Sequence, residues 1–177
     1  MKKPRFHPFP ILSSARLRLR RLTHSDETDL FALRTDEQVN RYLGRPAPQT
    51  PAEVQTFIAT IDGGIEQDRW IYWAISLRDR PELIGTICLW NFSDDQQTAE
   101  LGYELLPNYQ GRGLMSEALQ MVLDFAWNRL RLAALEAYTH PKNQSSTRLL
   151  QKYGFTSAGA VQQDSSAELI FRLTRFR

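Results

Sequence analysis

One stretch constrains the chain more than any other: Ala-Glu-Leu-Gly-Tyr-Glu-Leu-Leu-Pro-Asn-Tyr-Gln-Gly-Arg-Gly-Leu-Met-Ser-Glu, from Ala99 to Glu117. It starts with strand character, breaks at Pro107, turns through Gly111 and Gly113, and opens a helix. Leu114, Ala118, Leu119, Val122, Leu123, Ala126 and Leu130 recur there on one helical face. A strand led through glycines into a helix N-terminus gathers unpaired main-chain N–H groups and the positive end of the helix dipole at one place. Glycine also lets the backbone approach a phosphate closely. The stretch therefore predicts an anion site, read as a grip on a pyrophosphate, with chemistry beside the preceding strand. No Gly-Lys-Ser/Thr follows, so it is not a Walker loop. Met115 and Ser116 after Gly113 break the dinucleotide pattern Gly-x-Gly-x-x-Gly. ATP and NAD are poor matches.

Around this stretch the periodicity predicts an ordered series of elements. Residues 1–10 read as an irregular arm. Ala15 to Leu22 alternates Leu17 and Leu19 against Arg16, Arg18 and Arg20, the pattern of a half-buried strand with a solvated arginine face. Thr23 to Asp29 suits a helix start, followed by one or two short helices through Tyr42. Thr50-Pro51-Ala52-Glu53 is a helix opening with a capping box, and Gly63-Gly64 is expected to weaken the end of that helix. Trp70–Leu77 and Leu83–Trp90 read as a hairpin, Asn91–Gln97 as a polar loop and Thr98–Leu106 as a fourth strand. A fifth strand spans Leu135 to Thr139, and residues 143–153 form a helix capped by Asn143 and ended by Gly154. Two closing strands follow, from Phe155 and from Glu168 to Thr174. The order predicts one α/β domain: a mixed, mostly antiparallel sheet of about seven strands flanked by helices.

Composition sets the outer limits. The 177 residues suit one domain, with 42% hydrophobic and 24% charged residues, enough for a core and against disorder. A net charge of +2 argues against a nucleic-acid partner. The longest apolar run, Trp70 to Ile75, is too short to span a membrane. Cys88 is the sole cysteine, so there is no internal disulfide; a reducing, cytoplasmic setting is expected. The three histidines lie far apart and give no metal spacing.

A second motif narrows the anion. About 30 residues after the glycine turn comes His140-Pro141-Lys142-Asn143-Gln144-Ser145-Ser146, continuing to Lys152-Tyr153-Gly154-Phe155. With Ser14 to Arg20, Ile84-Gly85-Thr86-Ile87 and Glu100-Leu101-Gly102-Tyr103, the chain resembles the GNAT acyltransferase superfamily over nearly its whole length. It is most similar to the RimJ/RimL-like branch that acetylates protein N-termini. The resemblance implies a single GNAT domain over 1–177, acetyl-CoA as cofactor, and a cofactor cleft between the fourth and fifth strands. By the same resemblance Gln110, Gly111, Arg112, Gly113, Leu114, Met115 and Ser116 hold the pyrophosphate. Leu105 and Leu106 pair with the pantetheine arm as an extra strand. Asn143 touches the arm, and Arg148 or Lys152 lies near the phosphates. Met115 departs from the small residue usual at its position, which contributes mostly a backbone N–H.

Acetyl transfer to an amine needs a neutral nucleophile, a polarised thioester carbonyl and a donor for the leaving thiolate. Many superfamily members use a tyrosine for the last task, and the matching position here is Leu150. In the RimJ/RimL-like branch the serine of Asn-x-x-Ser takes that place, which is Ser146 here; the plain alternative is a helix hydroxyl bonded to its own backbone. Glu100 is the candidate base, set against the reading of a strand carboxylate paired with an arginine. Glu104 reads as structural, and Asp164 and Glu168 lie where the branch carries a further acid. Trp73 and Trp90 read as core, Trp70 as core or acceptor pocket, His140 as a loop cap, and Cys88 as facing the core. The expected reaction is direct attack in a ternary complex without an acyl-enzyme. The acceptor is an amine, on a protein N-terminus or a small molecule such as a polyamine. A non-catalytic acyl-CoA sensor is the further alternative. A monomer or a homodimer fits the sequence equally.

Overall fold

The computed structural model describes residues 6–163 and 166–175. Its strands are β1 (Leu12–Ser13), β2 (Leu17–Arg21), β3 (Ile71–Leu77), β4 (Leu83–Trp90), β5 (Thr98–Leu105), β6 (Ala134–Thr139), β7 (Thr156–Gln163) and β8 (Ser166–Thr174). Its helices are α1 (Glu27–Thr35), α2 (Glu37–Asn40), α3 (Pro51–Glu66), α4 (Leu114–Asn128) and α5 (Gln144–Lys152), with single 3₁₀ turns at His24–Asp26 and Pro107–Tyr109. The strands form one sheet in the order β1-β2-β3-β4-β5-β6-β8-β7. The β5–β6 pair is parallel and every other pair is antiparallel. The sheet has eight strands where seven are predicted. The extra one is β1, two residues long, too short to leave an alternation in the sequence.

Alternation divides the sheet into two faces. Trp73 and Ile87 point toward α4, where Trp73 meets Phe125 edge-to-face at 5.4 Å. Tyr72 points to the other face, where Phe57 of α3 packs on it at 5.9 Å. Covered on both sides, β3 is buried from Ile71 to Ser76. Past β4 the α1/α3 face opens. Glu100, Gly102 and Glu104 of β5 share it with Glu136 and Tyr138 of β6 and Arg172 of β8, and none of these is fully buried.

Several sequence readings find their physical reason here. The first-strand arginines are largely committed: Arg20 pairs with buried Asp26 at 2.6 Å, and Arg21 bridges Asp62 and Glu66. The irregular arm is packed from Phe6 onward. Phe6 is fully buried, its N–H donates to Asp68, and Pro10 O accepts from Trp73 Nε1 at 2.8 Å. Helix α3 runs straight through Gly63–Gly64, because Gly64 is where Trp70 lies against the helix. A Cβ at 64 would fall 1.9 Å from the Trp70 ring. The Trp70 Nε1 donates to Ile61 O at 2.9 Å, so this indole belongs to the α3 packing. Trp90 corrects the core reading: it is 44% exposed, because no helix covers its face at the end of β4.

Replacing Gly64 by Ala forces the Trp70 ring off its seat. Chemical denaturation of Gly64→Ala should show a stability loss of about 1–3 kcal/mol, with indole fluorescence shifted toward that of exposed tryptophan.

Candidate functional site

The site begins where two strands part. The parallel register of β5 and β6 runs only over Thr98↔Ala134, Ala99↔Leu135 and Glu100↔Glu136. Both strands continue beyond it, β5 to Leu105 and β6 to Thr139. The facing edges beyond Glu100 and Glu136 therefore flank a gap with main-chain groups in need of partners. An extended, amide-bearing ligand satisfies such an edge as a strand does. Leu106 is less suited to that task than expected. Its N–H donates to Ile84 O and its carbonyl accepts from Tyr109 N, both at 2.9 Å. The Leu105 carbonyl takes the Gln110 side-chain amide at 2.8 Å, which ties the turn to the end of β5.

The predicted glycine turn lies at the end of this gap. Gly111 and Gly113 both have left-handed backbones, φ +71° and +74°, and Gly113 is the N-cap of α4. The Glu117 N–H reaches back to Gly113 O at 3.1 Å, leaving the first-turn donors of Leu114, Met115 and Ser116 directed at the turn. Lys152 Nζ donates to Ser116 Oγ at 2.8 Å, and Tyr153 Oη donates to Ser116 O at 2.6 Å. Lys152 thus brings a cation to the positive end of α4. Arg148 contacts Gln144 of its own helix, at 3.4 Å, and faces solvent. Met115 is partly buried and packs against the core, which is where its extra bulk is accommodated.

Arg16 holds the turn from β2's side. Its guanidinium donates to Arg112 O at 2.9 Å and pairs with Glu117 at 2.6 Å, while Ser14 Oγ donates to the same carboxylate at 2.5 Å. Against the opposing effect of burial, hydrogen bonds from Ser14 and then Arg16 hold the Glu117 carboxyl below its usual range, so Glu117 is a full negative charge one turn into α4. Arg16 neutralises that charge beside the glycine turn. The sequence hid this role, because Arg16 reads as one of several solvated strand arginines.

On the α4 side of the gap, Asn143 caps α5 by accepting from Ser146 N at 3.2 Å. Ser146 Oγ lies 2.8 Å from Tyr103 Oη. Leu150 is fully buried in the core. On the opposite face, Glu100 receives a long contact from Asn91 at 3.4 Å and forms no ion pair among the described residues. Burial raises its pKa, and the neighbouring Glu168 and Glu136 charges add to the rise. Glu136 is paired with Arg172. Glu104 is structural as read: its nearly buried carboxylate is held by Arg45 at 2.5 Å and by Thr86. A cavity of about 530 Å³ opens on this face, lined by Asn91, Phe92, Asp94, Glu100, Glu136 and Arg172 among others. His140 accepts from Lys142 N and stacks on Tyr42 at 5.3 Å, so it does cap its loop. Cys88 lies beside Gly102 with its thiol pushed up to about 12 by burial and by Glu104. Asp164 lies outside the described residues. Among the described residues, no cluster of His, Cys, Asp or Glu forms a metal site and no helix is long and apolar enough to cross a membrane.

A parted parallel strand pair with a glycine-turned helix N-terminus at its end suits an extended, amide-bearing ligand with an anionic end. The chain belongs to the acetyltransferase (GNAT) domain family, whose model matches residues 16–156. It is 34% identical over 155 residues to the uncharacterized N-acetyltransferase YoaA of Bacillus subtilis, covering 88% of each chain. Its fold superposes on RimL, the ribosomal L7/L12 alpha-N-protein acetyltransferase in complex with coenzyme A, with TM-score 0.83 and 19% identity over 93% of this chain and 98% of that one. It likewise matches the microcin C7 self-immunity acetyltransferase MccE in complex with acetyl-CoA and AMP, with TM-score 0.82 and 17% identity over 92% and 94%. The protein is an N-acetyltransferase with acetyl-CoA as donor.

Arg16→Ala should weaken coenzyme A binding by about tenfold in calorimetry, equivalent to ~1.4 kcal/mol, by leaving Glu117 unneutralised near the phosphates. Removing both charges, Arg16→Ala with Glu117→Ala, should recover part of that loss.

Proposed function

We propose that the protein acetylates a primary amine by direct attack on acetyl-CoA in a ternary complex, with Glu100 and Ser146 acting from opposite faces of the sheet. The observation that carries this reading is the gap between β5 and β6, with the Ser146 hydroxyl on its α4 side and an ion-pair-free Glu100 on the open face. Acetyl-CoA supplies an acetyl group activated as a thioester. The first-turn amides of α4 and Lys152 hold its anionic end, and the edge of β5 left unpaired by β6 beyond Glu100 orients the arm. Glu100 takes the proton of the attacking amine, directly or through water; its raised pKa makes it a better base than a solvated carboxylate. Ser146 Oγ donates a hydrogen bond to the leaving sulfur. A serine hydroxyl is too weak an acid to give up its proton to a thiolate, so stabilisation by hydrogen bonding is the whole of its task. The protonated Cys88 thiol gives no reason to invoke an acyl-enzyme.

The acceptor is read first as the N-terminal amine of a protein, the substrate class named for RimL. A specific observation favours a second reading, a small polycationic amine. Trp90, Glu100 and Glu168 share the open face, and an exposed indole with two carboxylates that form no ion pair among the described residues suits an acceptor with a further positive charge.

Ser146→Ala should lower kcat by roughly 10- to 100-fold. Glu100→Gln should lower it by about 100-fold and remove the acid limb of the kcat–pH profile. That limb lies above the ordinary carboxylate range in the wild type, because the base is lost as pH falls through a raised pKa. A side-by-side screen of spermidine, spermine and peptides with free N-termini decides the acceptor. Turnover of peptides alone rejects the polyamine reading, and turnover of polyamines alone rejects the N-terminal one.

A further inference from the structure

Tyr103 is the residue that the structure joins to the chemistry and the sequence passed over. Its hydroxyl lies 2.8 Å from Ser146 Oγ, and neither hydroxyl has another hydrogen-bond partner among the described residues. The ring sits on the α4 face of β5, at the point where β6 has already parted from it. The helix that carries Ser146 offers no phenol of its own at the gap, since position 150 is a fully buried leucine and Tyr153 is committed to Ser116.

We propose that Tyr103 is a positioning residue for Ser146: its phenol donates to Ser146 Oγ and so directs the serine's own proton into the gap, toward the leaving sulfur. This rests on the reading of Ser146 as the donor to that sulfur. Two facing hydroxyls share one proton in their contact and leave the other free. The phenol is the stronger acid and hence the better donor, so the free proton is the serine's. Burial pushes the Tyr103 pKa up to about 12, which keeps the phenol neutral and able to donate throughout the working pH range. A donor bonded behind Ser146 also polarises its O–H, because hydrogen bonds in series strengthen one another. No proton leaves Tyr103 in the reaction. The C–N bond forms, the C–S bond breaks with its electron pair going to sulfur, the amine proton goes to Glu100, and the sulfur departs as a thiolate held by the Ser146 hydroxyl.

The test uses Tyr103→Phe, Ser146→Ala and the double variant, each first checked for a wild-type melting temperature. Two readouts are taken: kcat with acetyl-CoA, and the apparent pKa of the thiol of bound coenzyme A, followed by thiolate ultraviolet absorbance without turnover. Tyr103→Phe should lower kcat about three- to tenfold, with the KM for acetyl-CoA unchanged, and should raise the bound-thiol pKa. In the Ser146→Ala background, Tyr103→Phe should do nothing further to either readout. Ser146→Thr, which keeps the hydroxyl, should keep the dependence on Tyr103 and covers the case in which Ser146→Ala is unstable. If Ser146→Ala moves both readouts and Tyr103→Phe moves neither, the tyrosine's role is overturned while the serine's stands. Losses that multiply in the double variant also overturn it. If Ser146→Ala itself moves neither readout, the assignment of Ser146 falls, and the role of Tyr103 with it.

Discussion

The parting of β5 from β6 is the constraint on which the rest depends. Parallel strands that separate after three paired residues leave main-chain donors and acceptors facing a gap, and such groups are costly to bury without partners. A linear molecule with amides of its own restores the missing ladder. The sheet thus builds a binding site out of an interruption in its own hydrogen bonding. Everything else at the site is placed relative to that gap: the glycine turn at its end, hydroxyls on the α4 face, carboxylates on the open face.

Charge placement keeps the two faces distinct. At the anion end, Arg16 offsets Glu117 and Lys152 adds a cation. At the open face, Arg45 and Arg172 occupy Glu104 and Glu136, while Glu100 on β5 has no ion pair among the described residues. An arginine on Glu100 would pull its pKa down and make it a poor base. The ion pairs thereby protect the character of the site, although exposed pairs such as Arg16–Glu117 add little to global stability.

Much of this was legible in the sequence because it rests on local rules. The glycine turn, the Asn143 cap, the hairpin and the amphipathic α4 each depend on residues close in sequence, and all appear where the periodicity places them. The misses share one cause. Gly64 reads as a helix weakener until Trp70 is seen against it. Trp90 reads as core because alternation says which side of a strand a residue takes, not whether a helix covers that side.

The sequence by itself determined the glycine turn and the helix it opens, because φ-permissive glycines and a helix N-terminus act over a few residues, while the family and the cofactor class followed from its resemblance to known acyltransferases. Only the tertiary structure decided which groups meet across the gap. The contacts of Tyr103 with Ser146, Arg16 with Glu117 and Arg45 with Glu104 join residues 43, 101 and 59 positions apart. Their partners are set by strand order and register, which the alternation of a single strand does not specify.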